Sequence, residues 1–384
     1  MSKCHNGLVP VDQRLLELLD NLPAGEDPLV ISARLRSAGH EPQLIAQALT
    51  QARLRQRARA KFGEAAGGLL LTDEALQQAS RMAAARHHAE TFANLGSREL
   101  REVGCGIGAD TLAFAEAGLT VHARELDRER AEYAAYNLRH YPNVTVELAD
   151  GLADVTEPGL WADPARRGPT GRIAHPEGWA PALSAVVAAG ASCRLAGIKI
   201  APGIDHRYLG SSHTEWISAE GDLLEAVMWR GEITPGRSAV LLGVGRLDLP
   251  GDPSRPPEQV APGPLRRYLF EPDPAVIRAG GIAHLCREFD LAPIAASLAY
   301  LSGDTEVSSP FLTGFEIRDV VKIKRLPAAL RAADIGRVEI KKRGMDTTPE
   351  QLRSRLGKLT GSKSATVFLA PTVEGRRAII ARRL

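Results

Sequence analysis

Along residues 8–95 the apolar positions recur at helical spacing. Leu15, Leu16, Leu18, Leu19 and Leu22 share one face, and "EDPLVISARLRSAG" and "PQLIAQALTQARLRQRARAKF" follow with Pro and Gly breaks between them. This stretch is predicted to be almost wholly helical. From about residue 98 the texture changes. "ELREVG", "TVHARE", "NVTVELAD", the short "GLWAD" and "SCRLAGIKIAPG" read as strands, while "ADTLAFAEAG", "DRERAEYAAYNLRHY" and "WAPALSAVVAAG" between them read as helices. Strands separated by helices of this length predict an α/β fold with a parallel, doubly wound sheet. "HTEWISAEGDLLEAVMWRG" and "SAVLLGVGRLDL" add further strands, paired as hairpins. "LPGDPSRPPEQVAPGP" (249–264) is rich in Pro and Gly and reads as a linker or exposed loop. After a mixed segment, "FEIRDVVKIK", "LPAALRAADIG", "RVEIKKRG", "TPEQLRSRLGKL", "ATVFLAP" and "RRAIIARRL" predict a small βαβαββ domain. The expected divisions are therefore 1–95, 96–250, 251–309 and 310–384.

Composition changes this picture little. With 44% apolar and 24% charged residues in 384, the chain has the make-up of a globular protein of two or three domains. Cys4, Cys105, Cys193 and Cys286 are scattered without a C-x-x-C pair, so neither a disulfide framework nor a metal site is expected from them. The N-terminus lacks the long apolar region of a signal peptide. "ALSAVVAAGASC" is about half the length a membrane span needs. A cytoplasmic protein without a membrane segment is expected.

Charge is more informative locally than globally. The net charge is only +2, yet residues 341–384 hold eleven Lys/Arg against three Asp/Glu. Arg53, Arg57 and Lys61 fall at i, i+4 and i+8 in one helical stripe, flanked by Arg55 and Arg59, with no acid between residues 51 and 63. Such a stripe is either a solvated face or a contact for a polyanion.

The chemistry concentrates in "REVGCGIGADTLAFAEAG" (101–118). Gly104, Gly106 and Ala109 satisfy G-x-G-x-x-[GA], which keeps a dinucleotide reading open; a Walker-type loop is excluded because no Lys-Ser/Thr pair follows. Three acids favour another ligand. Glu102, at the end of the first strand, would repel a pyrophosphate but suits a cationic amine. Glu125, ending the second strand, can accept from both hydroxyls of a ribose. Asp150, after the third strand, can accept from an adenine amine. An amine, a ribose diol and an adenine without phosphates are the parts of S-adenosylmethionine (SAM). Glycines at 104, 106 and 108 let the backbone pass close to it. The expected cofactor-binding set is Glu102, Gly104, Cys105, Gly106, Gly108, Asp110, Glu125, Leu126, Asp150 and Gly151. "WADPARRG" places Asp163 and Pro164 at the end of the fourth strand. Enzymes that methylate nucleobase nitrogens often carry an Asp/Asn-Pro-Pro-aromatic loop there; here Ala165 and Arg166 replace the second proline and the aromatic. Asp163, Pro164 and Arg166 are the candidate catalytic residues, against the alternative of a proline turn with surface arginines.

"LRQRARAKFG", "GCGIGAD", "DPARRG", "IKIAPGID", "EPDPAVIRAG" and "VEIKKRG" together resemble a bacterial family of class I SAM-dependent methyltransferases with a C-terminal THUMP-like domain, over nearly the whole chain. The resemblance implies a Rossmann-like catalytic domain, a helical N-terminal extension, a ferredoxin-like C-terminal module and an RNA substrate, with tRNA as the candidate. Glu102 and Glu125 stand where the family more often has Asp. Arg124 and Arg128 are unusual, and leave the path around the ribose open. RNA would be gripped by the basic C-terminal domain and the Arg53–Arg57–Lys61 stripe. The competing functions are a SAM-binding RNA module without chemistry, a methyltransferase for small molecules or proteins, and an NAD-dependent oxidoreductase.

Overall fold

A computed structural model describes residues 8, 11–22, 26–168, 171–345, 354 and 356–384. Cys4 and most of the helix expected over 348–359 lie outside the described residues. The chain forms two compact units: residues 1–201 with 226–234, and residues 202–225 with 235–384.

The first unit opens with five helices: α1 (Gln13–Asp20), α2 (Pro28–Ser37), α3 (Pro42–Phe62), α4 (Asp73–Gln78) and α5 (Met82–Asn94). Their starts are set locally. Asp12 and Asp27 accept backbone N–H bonds in the first turns of α1 and α2, Thr72 does so for α4, and prolines 28 and 42 open α2 and α3. Strands β1 (Glu99–Val103), β2 (Thr120–Glu125), β3 (Val144–Leu148) and β4 (Gly159–Ala162) follow, with helices α6 (Ala109–Glu116) and α7 (Arg128–Asn137) between the first three. A two-residue ribbon, β5 (Arg167–Gly168) with β6 (Gly171–Arg172), leads to α8 (Leu183–Ala189) and β7 (Leu195–Ile200). The strand order is β7-β4-β1-β2-β3, all parallel. Strand β7 is buried along its whole length, as expected of a parallel strand covered on both faces. Residues 226–231 run antiparallel to β7 and bring Trp229 beside Trp161, with ring centroids 5.9 Å apart. Gly197 makes that pairing possible: a Cβ there would lie 2.6 Å from Trp229 and 2.7 Å from Trp161.

The helical segment does not stand alone as a domain. Leu54, Ala58 and Phe62 of α3 bury against Ile107 of the glycine turn, and Leu15, Leu18 and Leu19 of α1 join Leu44, Ala48 and Leu70 beside Tyr133 and Tyr136 of α7. The basic stripe is also largely used within the fold. Arg53 and Arg57 both pair with Asp73, and Lys61 Nζ donates to the carbonyls of Leu76, Gln77 and Ala79 at the end of α4. A helix end carries orphan carbonyls and partial negative charge, so it is a natural partner for a lysine.

The second unit begins with β8 (His213–Ala219) and receives the first residues of β9 (Asp222–Gly231). Strand β10 (Gly236–Leu241) runs parallel to β8 and forms a hairpin with β11 (Gly245–Pro250). The expected methyltransferase segment 96–250 is thus divided between the two units. The mixed segment after the Pro-rich stretch is structured: β12 (Tyr268–Pro272), α9 (Pro274–Ala279), α10 (Ile282–Phe289), β13 (Ala292–Pro293) and β14 (Leu301–Gly303). With β15 (Leu312–Val321), α11 (Leu326–Ala332), β16 (Ile335–Lys342), β17 (Lys363–Thr372) and β18 (Gly375–Arg383), its strands build a seven-stranded sheet ordered β13-β14-β12-β15-β18-β17-β16. Among the described residues of this sheet, only β16 and β17 pair in parallel. Leu326 and Leu330 of α11 cover one sheet face, and Phe315, Phe368 and Tyr300 pack together elsewhere in the core. Among the described residues no helix is long and apolar enough to cross a membrane.

Candidate active site

A cleft of about 400 Å³ opens at the carboxyl ends of β1 to β4, within the first unit. This is the edge at which open α/β sheets bind ligands. Glu102, Gly104, Cys105, Gly106, Asp110, Glu125, Leu126, Asp150, Gly151 and Asp163 all line it.

The glycine turn after β1 is held by its backbone. The N–H groups of Gly104 and Cys105 donate to Arg124 O in β2. Gly104 and Gly106 have φ of 70° and 58°, and a Cβ built on either would meet no atom within 4 Å. The turn therefore needs glycine for its conformation and leaves room where a ligand would approach. Gly108 serves packing instead: a Cβ there would lie 2.8 Å from Leu138 Cδ1, and the residue does not line the cleft.

Each acid has a defined setting. Glu125 Oε2 accepts from Gly106 N at 2.8 Å and Oε1 from Asp127 N at 2.9 Å. Both oxygens keep a lone pair in reserve, and the carboxylate is fixed in place. Asp150 Oδ1 accepts from Leu152 N. Arg124 reaches across to Asp150 O and Ala153 O and pairs with Glu147, so it braces the turn after β3. Leu126 is 72% exposed at the cleft, an apolar side chain offered to whatever enters. Glu102 is buried and accepts from Thr111 Oγ1 at 2.6 Å. Burial, and next the Asp110 charge, push its carboxyl well above the usual range. Burial likewise holds the Cys105 thiol well above its ordinary value, so the residue is no thiolate nucleophile.

A network of residues that the sequence pattern does not mark backs Asp163. Lys199, in the middle of the apolar "LAGIKI" strand, is buried, with Nζ 2.5 Å from Asp163 Oδ2 and 3.0 Å from Ser80 Oγ. Ser80 donates onward to Asp110 Oδ2 at 2.8 Å, and His88 Nδ1 lies 3.2 Å from Asp110 Oδ1. A lone lysine inside an otherwise apolar strand was the available signal. Burial pushes the Asp163 carboxyl up, and the Lys199 charge opposes that rise. Of the other two candidate catalytic residues, Pro164 does not line the cleft, and Arg166 donates to Ile200 O at 3.1 Å outside its lining.

A parallel β7-β4-β1-β2-β3 sheet with acids gathered around a glycine turn defines a Rossmann-like domain shaped for a cationic adenosyl ligand rather than a diphosphate. Comparison with known proteins makes the assignment definite. Two Mycobacterium tuberculosis proteins, one in each of two strains, each named an uncharacterised S-adenosylmethionine-dependent methyltransferase, are 32% identical to this chain over 357 residues, covering 88% of it and 94% of each of them. The chain belongs to this family of S-adenosylmethionine-dependent methyltransferases. A Porphyromonas gingivalis methyltransferase crystal structure shares the fold, with a TM-score of 0.80 over 98% of this chain and 99% of that one, at 17% identity. A family model for THUMP domain-like sequences matches residues 312–383, and one for a domain of unknown function, DUF8688, matches residues 10–58.

Proposed function

We propose that this enzyme methylates a nucleobase of RNA, with tRNA as a candidate, in the cytoplasm. The observation that carries the cofactor half is the gathering of Glu102, Glu125, Asp150 and Asp163 around one glycine-walled cleft. S-adenosylmethionine, when bound there, supplies an activated methyl group on a sulfonium. Glu125 accepts from the two ribose hydroxyls, Asp150 from the adenine amine, and Leu126 packs on the adenine face. Glu102, with Asp110 behind it, faces the methionine ammonium. Cys105 and Gly151 contribute wall, and Gly151 permits close packing, since a Cβ there would lie 2.8 Å from Val103 Cα. Asp163 faces the acceptor base. Pro164 stiffens the turn that presents it, and Arg166, anchored on Ile200 O, sits near enough to favour the Asp163 charge.

The RNA half rests on the THUMP-like module and its charge. Lys322, Lys324, Arg331, Arg337 and Lys342 make no ion pair among the described residues, which leaves them for phosphates. The Arg53–Arg57–Lys61 stripe adds less, because Asp73 and the end of α4 already engage it. The test is transfer of labelled methyl from SAM to RNA taken from cells lacking the gene, together with RNA affinity against salt. Label should appear in RNA. For about four phosphate contacts, affinity should fall roughly a hundredfold between ~50 and ~200 mM salt. SAM binding without label in RNA, or a flat salt response, would overturn this reading.

A pH effect follows from Glu102. Its carboxyl holds a proton well above the usual range in the free enzyme, whereas a cationic ligand favours the carboxylate. SAM affinity should therefore rise with pH and level off once Glu102 is ionised, with a proton released on binding below that point. Calorimetry in two buffers of different ionisation heat reads the release. Glu102→Gln should bind more weakly and lose that slope.

A further inference from the structure

Lys199 is an expensive residue where it stands. Strand β7 is buried throughout, and an ammonium taken out of water there is strongly unfavourable unless it is paired. An apolar side chain would fill the position without that cost. The lysine instead donates to Asp163, just after β4, and to Ser80, between α4 and α5. Asp163 is 27% exposed in its side chain and lines the cleft, and its second oxygen, Oδ1, accepts no hydrogen bond among the described residues. One carboxylate oxygen is thus committed to the lysine and the other is left over, at the place where an acceptor must lie.

We propose that Lys199 is a positioning residue of the methyl-transfer centre, holding Asp163 as a carboxylate whose Oδ1 accepts the N–H of a nitrogen acceptor. The proposal rests on the nucleobase reading above and narrows it to an exocyclic amine. A carboxylate tied to an ammonium is a good hydrogen-bond acceptor and a weak base. It orients an N–H whose nitrogen attacks with its own lone pair, but it is too weak to ionise a ribose hydroxyl beforehand. As the nitrogen lone pair forms the new N–C bond, the C–S bond breaks with its electrons left on sulfur, and the surplus N–H proton leaves through Asp163 Oδ1 to water. The groups facing Asp163 include Lys199, Arg166, Asp110 and the Glu102 carboxyl; those facing Lys199 include Asp163, Asp110 through Ser80 and, more distantly, Lys61. Without the ammonium, burial and the Asp110 charge favour a protonated Asp163, with Arg166 opposing them.

The test compares Lys199→Met with wild type in two independent readouts. By difference infrared spectroscopy on the full chain, Lys199→Met should show a protonated carboxyl band at neutral pH that the additional Asp163→Asn change removes. Wild type should lack an Asp163→Asn-sensitive band. In the labelled-methyl assay the acid limb of the rate profile should move up by about one pH unit or more, with Lys199→Arg restoring the wild-type profile. If Lys199→Met does not fold, Ser80→Ala, which removes an anchor of the lysine, should shift the limb in the same direction by less. An ionised Asp163 and an unmoved pH profile in these variants would make Lys199 merely structural and overturn the proposal, as would label found on carbon or on a 2′-oxygen. If wild-type enzyme transfers nothing to RNA, the RNA reading fails, and the infrared comparison still decides the role of Lys199.

Discussion

Glu125→Gln is expected to weaken S-adenosylmethionine binding by about a hundredfold with the fold intact. Glu125 presents two fixed oxygens at the end of β2, each already receiving one backbone N–H, from Gly106 and Asp127. A ribose diol adds one donor to each oxygen. Glutamine keeps one oxygen but turns an NH₂ toward a backbone N–H that also donates, so one native bond is lost and the glycine turn loosens. Hydrogen bonds to a charged group are worth about 1.5–3 kcal/mol each and neutral ones about half that, so losing one ribose bond and weakening the other removes about 3 kcal/mol, or about a hundredfold in affinity. Equilibrium dialysis or calorimetry with SAM measures this, and the melting temperature of the free protein checks that the fold survives. Affinity within threefold of wild type would remove Glu125 from the cofactor site.

The strand-end acids were legible in the sequence because they are tied to a period that can be counted. Once β1, β2 and β3 are recognised, Glu102, Glu125 and Asp150 fall at one edge without any knowledge of side-chain direction. Ser80, His88 and Thr111 were not legible, since they reach the site from a helix connection and from helix interiors, where nothing in the local pattern marks a polar residue as inward-facing. Lys199 was half visible, a single charge in "LAGIKI", but its partner lies 36 residues earlier across a neighbouring strand. The stripe of Arg53, Arg57 and Lys61 shows the opposite failure. Its spacing was read correctly, yet Asp73 and the α4 carbonyls that absorb it come from a separate helix. The glycine pattern predicts close ligand approach at 104, 106 and 108 alike; the position of Leu138 gives Gly108 a packing role that the pattern does not carry. The segment after the Pro-rich stretch escaped as a set of elements because β13 and β14 are only two and three residues long, too short to show a period.

The other large effect is expected far from the ligand's reacting end, at Asn137→Leu. Asn137 is the last residue of α7 and is buried. Its Oδ1 accepts from Leu70 N at 2.8 Å, and its Nδ2 donates to Leu70 O at 3.0 Å and to Ile107 O at 2.9 Å. One amide thereby joins the segment between α3 and α4 to the glycine turn, with every bond out of reach of water. Leucine matches the volume but leaves the Leu70 N–H and C=O without partners, and each unsatisfied buried group costs about 1–3 kcal/mol. The summed loss of ~3–5 kcal/mol should lower the melting temperature of this unit by roughly 10 °C. SAM affinity should fall as well, because Ile107 belongs to the turn that walls the cleft, and saturating SAM should restore part of the lost stability by mass action. Thermal unfolding with and without SAM gives both quantities. A variant that melts within about 2 °C of wild type, well inside the shift expected for ~3 kcal/mol, would mean that the N-terminal helices are not coupled to the cofactor turn through this residue.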